Sequence, residues 1–194
     1  MIRHLEILVE EPSAEAALQA LLPRYLGEIT FAIYRHAGKA DLLRKLPGRL
    51  AGYAAWLPHD WRIVVLLDRD DDDCVRLKRS LDALAVKSGF ASRIRPVVNR
   101  IAIEELEAWF FGDWQAVRAA YPNVSATIPE QSRYRVPDAV AGGTWEAFER
   151  ALQSGGYMKG GLRKIEAARA VAARMDPLRN SSASFRSFWS AVAP

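Results

Sequence analysis

Ile63-Val64-Val65-Leu66-Leu67 is an unbroken apolar run, and it leads directly into Asp68-Arg69-Asp70-Asp71-Asp72-Asp73. A strand without polar alternation is covered on both faces, as the central strand of a parallel sheet is. The run is far too short to span a bilayer. In parallel α/β sheets, functional groups gather beyond the carboxyl ends of the strands. The expected fold therefore places Asp68 at the end of a buried strand and Asp70 in the loop that follows.

The flanking sequence supports strand–helix alternation over the first half of the chain. Leu5 to Val9 reads as a strand, and Leu18, Leu21, Leu22 and Tyr25 then fall on one helical face. Ser13 is the expected N-cap of that helix and Gly27 its stop, with Pro23 in its last turn. Ile29 to Tyr34 is a second strand, and Asp41 to Ala55 a helix weakened at Pro47-Gly48. Cys74 to Lys87 reads as another helix, and Arg93 to Ile103 contains a strand around Val97-Val98. Helices are expected over 104–112, 113–121, 145–152, 162–175 and 183–192, with a long loop or a partly ordered insertion over 122–143. The expectation is a mainly parallel, four-stranded Rossmann-like α/β sheet in residues 1–112. Residues 113–194 form a helical extension packed on that core rather than an independent unit.

Composition narrows the function classes. The 194 residues carry 27 Lys+Arg against 23 Asp+Glu, a net charge of +4, and half are hydrophobic. This excludes a disordered acidic chain and a collagen-like one. Cys74 is the sole cysteine, so an intrachain disulfide and a cysteine-based zinc site are both excluded. The single thiol and the absence of an apolar leader in Met1–Glu6 lead us to expect a cytoplasmic protein without a membrane segment.

Three acidic clusters stand at expected strand ends: Glu10-Glu11 with Glu15, Asp68 to Asp73, and Glu104-Glu105 with Glu107. An Asp-x-Asp at a strand end aims two carboxylates at one point, the oxygen donor set that a hard cation such as Mg²⁺ takes. Helix starts also favour acidic residues, and this accounts equally for Asp71, Asp72, Asp73, Glu11 and Glu15. It accounts less well for a Glu that ends a buried strand. If the strand order is 2-1-3-4, Glu10 and Asp68 emerge side by side. Carboxylates more than ~10 Å apart could not share a cation at ligand distances of about 2.0–2.6 Å. Trp109, Phe110 and Phe111 read as core.

Leu8-Val9-Glu10-Glu11-Pro12-Ser13-Ala14-Glu15 and Val64-Val65-Leu66-Leu67-Asp68-Arg69-Asp70-Asp71 resemble the two signature motifs of the Toprim catalytic domain of topoisomerases, primases and overcoming-lysogenization-defect nucleases. The first departs from the usual pattern in having Glu11 where glycine is common. Asp72–Cys74, Glu105-Leu106-Glu107-Ala108-Trp109-Phe110, Tyr157-x-Lys159 and Ser184-Phe185-x-x-Phe188 more narrowly resemble the Toprim-like bacterial domain-of-unknown-function family numbered 4276. The resemblance implies Mg²⁺ or Mn²⁺ bound by Glu10, Asp68 and Asp70, with Glu105 or Glu107 completing a second site. It also implies Glu10 as ligand or general base, phosphodiester chemistry on DNA or RNA, and a role in phage or mobile-element defence.

A cation is also needed for the transition-state charge. Lys159, within Gly155-Gly156-Tyr157-Met158-Lys159-Gly160-Gly161, is the candidate, although a solvated loop lysine explains it as well. Arg133 and Arg135 in the long loop are the candidate nucleic-acid contacts. No P-loop motif occurs, so an ATPase motor would be a separate partner. The alternative to a nuclease is a non-catalytic metal-binding subunit that partners such an ATPase, with Glu11 crowding the pocket. A haloacid-dehalogenase-type phosphatase is disfavoured, because its Asp-x-Asp follows the first strand. The dispersed histidines His4, His36 and His59 argue against a histidine-based site, and His36 is at best marginal to a pocket.

Overall fold

In a computed structural model, residues 1–70, 72–90, 97–103 and 105–193 are described. Four strands, β1 (His4–Val9), β2 (Thr30–Arg35), β3 (Trp61–Asp68) and β4 (Val97–Ala102), form one parallel sheet in the order β2-β1-β3-β4. The apolar run lies in β3, between β1 and β4, with both of its faces buried. Alternation along the strands sorts side chains to two layers. Leu5, Ile7, Val9, Val64 and Leu66 face one apolar cluster, and Leu8, Ile63, Val65 and Leu67 face the other.

The second cluster is closed by α2 (Lys39–Trp56) and α3 (Cys74–Lys87), through Leu42, Leu46, Leu50, Tyr53 and Leu81. The first is closed by α1 (Pro12–Leu21) and the C-terminal helices α4 (Glu107–Gly112), α5 (Trp114–Ala120), α6 (Thr144–Ser154), α7 (Lys164–Ala172) and α8 (Ala183–Val192). Helix α7 lies along α1, and α8 lies against β4. Arg100 Nε donates to the Ser187 carbonyl and Arg62 Nη1 to the Ala191 carbonyl, each at 2.6 Å, and tie α8 to the sheet. Trp109, Phe110, Phe148, Phe185 and Phe188 fill the space between the sheet and these helices.

The expected N-cap at Ser13 is corrected. Helix α1 begins at Pro12, with Glu11 at the N-cap position, and Ser13 lies in the first turn, where its hydroxyl donates to Glu11 Oε2 at 2.9 Å. Proline suits that first position because its missing N–H has no helical partner there. Helix α2 runs uninterrupted through Pro47, which is exposed, so the lost donor and the ring face solvent. Replacing Pro47 by Ala restores a backbone donor at no cost in packing. The expected result is a stabilisation of ~1 kcal/mol, a rise of a few degrees in Tm measured by calorimetry. Residues 122–143 are the partly ordered insertion rather than a plain loop, with short 3-10 turns at Ile128–Glu130, Ser132–Tyr134 and Pro137–Ala139. Tyr134 stacks on Phe111 at a 5.1 Å centroid distance, and Asp138 accepts from the N–H of Ala183 at the start of α8.

The short helix α4 is held firmly, which matters because it carries Glu107. Asn180 Nδ2 donates to the Trp109 carbonyl at 2.9 Å, and Trp109 Nε1 donates to Ser184 Oγ at 3.1 Å. Asp113, fully buried, accepts two bonds from Arg179 at 2.6 and 2.9 Å. Gly112 permits this closeness: a Cβ there would stand 2.2 Å from Asn180 Oδ1 and 2.8 Å from the Ser182 backbone nitrogen.

Candidate metal centre

Parallel pairing sets Val9 opposite Leu66, so Glu10, the next residue, emerges beside the end of β3, where Asp68 is the last strand residue. Donor atoms of Glu10, Glu11 and Asp68 all lie within 4.8 Å of one another. Two oxygens on one Mg²⁺ at about 2.1 Å stand up to about 4.2 Å apart, so the three donors would have to draw only slightly closer to share one ion. Glu10 and Asp68 are buried and Glu11 is half-buried. Glu10 Oε2 is buried without a hydrogen-bond partner among the described residues. A buried carboxylate oxygen left unpaired is costly, and a bound cation would satisfy it.

The electrostatics agree with that geometry. Burial pushes the Glu10 carboxyl up to about 7; Asp70 and Glu11 add to the rise, while Lys39 and a backbone hydrogen bond from Asp68 oppose it. Burial raises Asp68 well above the usual carboxylate range, reinforced by Glu10, Glu107, Glu11 and Asp70. Glu107 is also buried, and its carboxyl is raised to about 7 by desolvation against the opposing pull of Lys164. Desolvation is the main cause of these shifts, with the neighbouring carboxylates adding to it, and positive charge placed among them would oppose both.

The other sequence candidates have separate positions. Asp70 is exposed, with a left-handed φ of 50°, and its carboxylate pairs with Lys39 Nζ at 2.7 Å. Glu105 Oε2 accepts from Thr144 Oγ1 and from the Trp145 N–H, both at 2.9 Å, and so holds the first turn of α6. Glu107 stands outside the 4.8 Å group but close enough to act on the charge of Asp68. Asp73 caps α3 by accepting from the Arg76 N–H at 2.8 Å, the helix-start role foreseen for part of the aspartate run. Asp71 and Glu104 lie outside the described residues, as do Arg93 and Arg95.

Lys159 is exposed in the turn after α6, and the lysines that act on the buried acids are Lys39 and Lys164. Lys164 opens α7, lies 5.1 Å from the Trp145 ring centroid and 4.0 Å from Glu105 Oε1. Burial lowers the pKa of its ammonium, but Glu107, Glu11, Glu105 and Asp68 outweigh this and raise it. Arg133 lies 4.6 Å over the Tyr134 ring, and Arg135 Nη2 donates to the Glu130 carbonyl at 3.5 Å; both are exposed on the loop of 3-10 turns.

An open cleft of about 790 Å³ leads to the carboxylates and is lined by Glu10, Glu11, Arg35, His36, Lys45 and Lys164, among others. His36 is thus a lining residue and is buried. Its Nδ1 donates to the Val9 carbonyl, 3.0 Å away, and its Nε2 is buried and unpartnered among the described residues. Glu11, Lys39, Lys164 and His36 were not singled out by sequence reasoning as the groups that build the site. Their usable signals were the acidic pair at Glu10-Glu11 and the glycine before Lys39.

The fold and site define a parallel α/β protein with a carboxylate cluster at the ends of its two central strands. The chain belongs to the family described as Domain of unknown function (DUF4276), which it matches over residues 9–193. No curated protein and no solved structure matches it. No helix among the described residues is long and apolar enough to cross a membrane.

Proposed function

We propose that this chain is a Mg²⁺- or Mn²⁺-dependent phosphodiester-cleaving enzyme of Toprim type, acting on DNA or RNA. The observation that carries the reading is the convergence of Glu10, Glu11 and Asp68 within 4.8 Å, with Glu10 Oε2 buried and unpaired. A hard cation held there would polarise a phosphoryl oxygen and lower the pKa of bound water. Glu10, poised near neutrality, suits a ligand that also accepts a proton. Lys164 and Lys45 on the cleft wall place positive charge where a phosphate would enter. Glu11, where related motifs carry glycine, adds a donor to the cluster.

Incubation of the protein with supercoiled plasmid and with single-stranded DNA and RNA tests this reading. Cleavage that requires Mg²⁺ or Mn²⁺ and stops with EDTA is the expected result. Metal binding without cleavage of any of the three would favour a non-catalytic subunit that works with a separate ATPase. Absence of metal binding would remove both readings.

A further inference from the structure

The aspartates beyond β3 divide into two groups with different partners. Asp68 turns toward Glu10 and Glu11, whereas Asp70 and Asp72 turn toward Lys39. Lys39 Nζ donates to Asp70 Oδ2 at 2.7 Å, to Asp72 Oδ2 at 3.0 Å and to the Arg69 carbonyl at 3.0 Å. Three oxygens saturate the three donors of an ammonium group. The Lys39 side chain is only 17% exposed, so this is an enclosed cation rather than a solvated surface lysine.

Helix stability does not explain the placement, because a cation in the first turn opposes the helix dipole. Lys39 is the first residue of α2. It is delivered by Gly38, whose φ of 89° favours glycine and whose N–H donates to the Glu10 carbonyl at 3.0 Å. The residue that supplies a buried carboxylate to the cluster therefore also anchors the backbone that carries the lysine. Asp70 closes the arrangement from the other side in a left-handed conformation that non-glycine residues adopt uncommonly.

We propose that Lys39 is the built-in second cation of this site. Its ammonium fills the position among Asp70, Asp72 and the Arg69 carbonyl that a second divalent ion would otherwise take. The chain then binds one divalent cation, at Glu10, Glu11 and Asp68, and Asp70 is a ligand to lysine rather than to metal. This rests on the metal-dependent reading above.

Mn²⁺ titration at pH 8, with free Mn²⁺ read by electron paramagnetic resonance, tests it on the whole chain. Wild type is expected to bind one Mn²⁺, Lys39→Ala two, and Lys39→Ala combined with Asp70→Asn one again. Asp70→Asn alone is expected to keep the single ion with affinity within about threefold of wild type, a readout that stands even if Lys39→Ala fails to fold. Two ions in wild type, one in a folded Lys39→Ala, or loss of the ion in Asp70→Asn would each overturn the proposal and leave the metal-dependent reading intact. No ion in wild type would remove that reading and this inference together.

Discussion

Asp68→Asn is expected to abolish divalent-cation binding and, in the same protein, to raise the stability of the cation-free state. Asparagine keeps the shape of the side chain but removes a charged donor from a group of three. Loss of affinity by 100-fold or more, about 3 kcal/mol, is the expected effect on the ion. In the cation-free protein, however, Asp68 is buried and pressed by Glu10, Glu107, Glu11 and Asp70, so an ionised carboxylate there opposes folding. Its removal relieves that repulsion, so the Tm of the cation-free protein is expected to rise.

The two effects separate cleanly in thermal unfolding at pH 8. A ligand at 100 times its Kd adds about 2.7 kcal/mol, so saturating Mn²⁺ should raise the wild-type Tm by roughly 5–10 °C. Asp68→Asn should start higher, gain nothing from Mn²⁺, and show only background cleavage. A variant that starts lower than wild type and still gains the full increment would refute the placement of the cation.

The second large effect is the pH dependence of stability. Glu10 and Glu107 have carboxyls raised to about 7 from an ordinary 4.5. Between those values the folded protein keeps protons that the unfolded chain has already released. The contribution of these two groups to the stability of the cation-free protein is therefore fully present below about pH 4.5, falls as pH rises toward 7, and is lost above it. At 1.36 kcal/mol per pKa unit, the loss is on the order of 3 kcal/mol for each carboxyl. Cation binding runs the other way, because ligands must be deprotonated: affinity should climb through pH 7 as protons are displaced. Urea unfolding at pH 5.5 and pH 8, with EDTA and with saturating Mg²⁺, gives the comparison. Without metal the midpoint should be lower at pH 8, and Mg²⁺ should restore it there far more than at pH 5.5. A cation-free protein that is more stable at pH 8 would show that burial does not hold these protons.

Much of this site was legible in the chain because it depends on local order. A short, β-branched apolar run with no alternation reads as a doubly covered strand, which puts Asp68 at its end. Glu10 directly follows β1 by the same logic, and strand order β2-β1-β3-β4 makes the two neighbours. The acidic run after β3 was less legible. Identical residue types there have three destinations: Asp68 joins the carboxylate group, Asp70 and Asp72 hold Lys39, and Asp73 caps α3. Glu105 carried the same metal-ligand pattern as Glu107, yet it is spent on the N-terminus of α6, a helix whose approach no local spacing announces.

The cations show the division most clearly. Lys159 drew notice for its flanking glycines and is exposed in the turn after α6. Lys39 and Lys164 reach the buried acids because the Gly38 turn and the packing of α7 on α1 carry them there. The amino-acid sequence by itself determined the parallel sheet and which carboxylates leave the ends of its central strands, because strand burial and the direction of the chain are local consequences of residue order. Only the tertiary structure decided which positive group each carboxylate meets, because Coulomb energy depends on distances through space that helix packing, not spacing along the chain, sets.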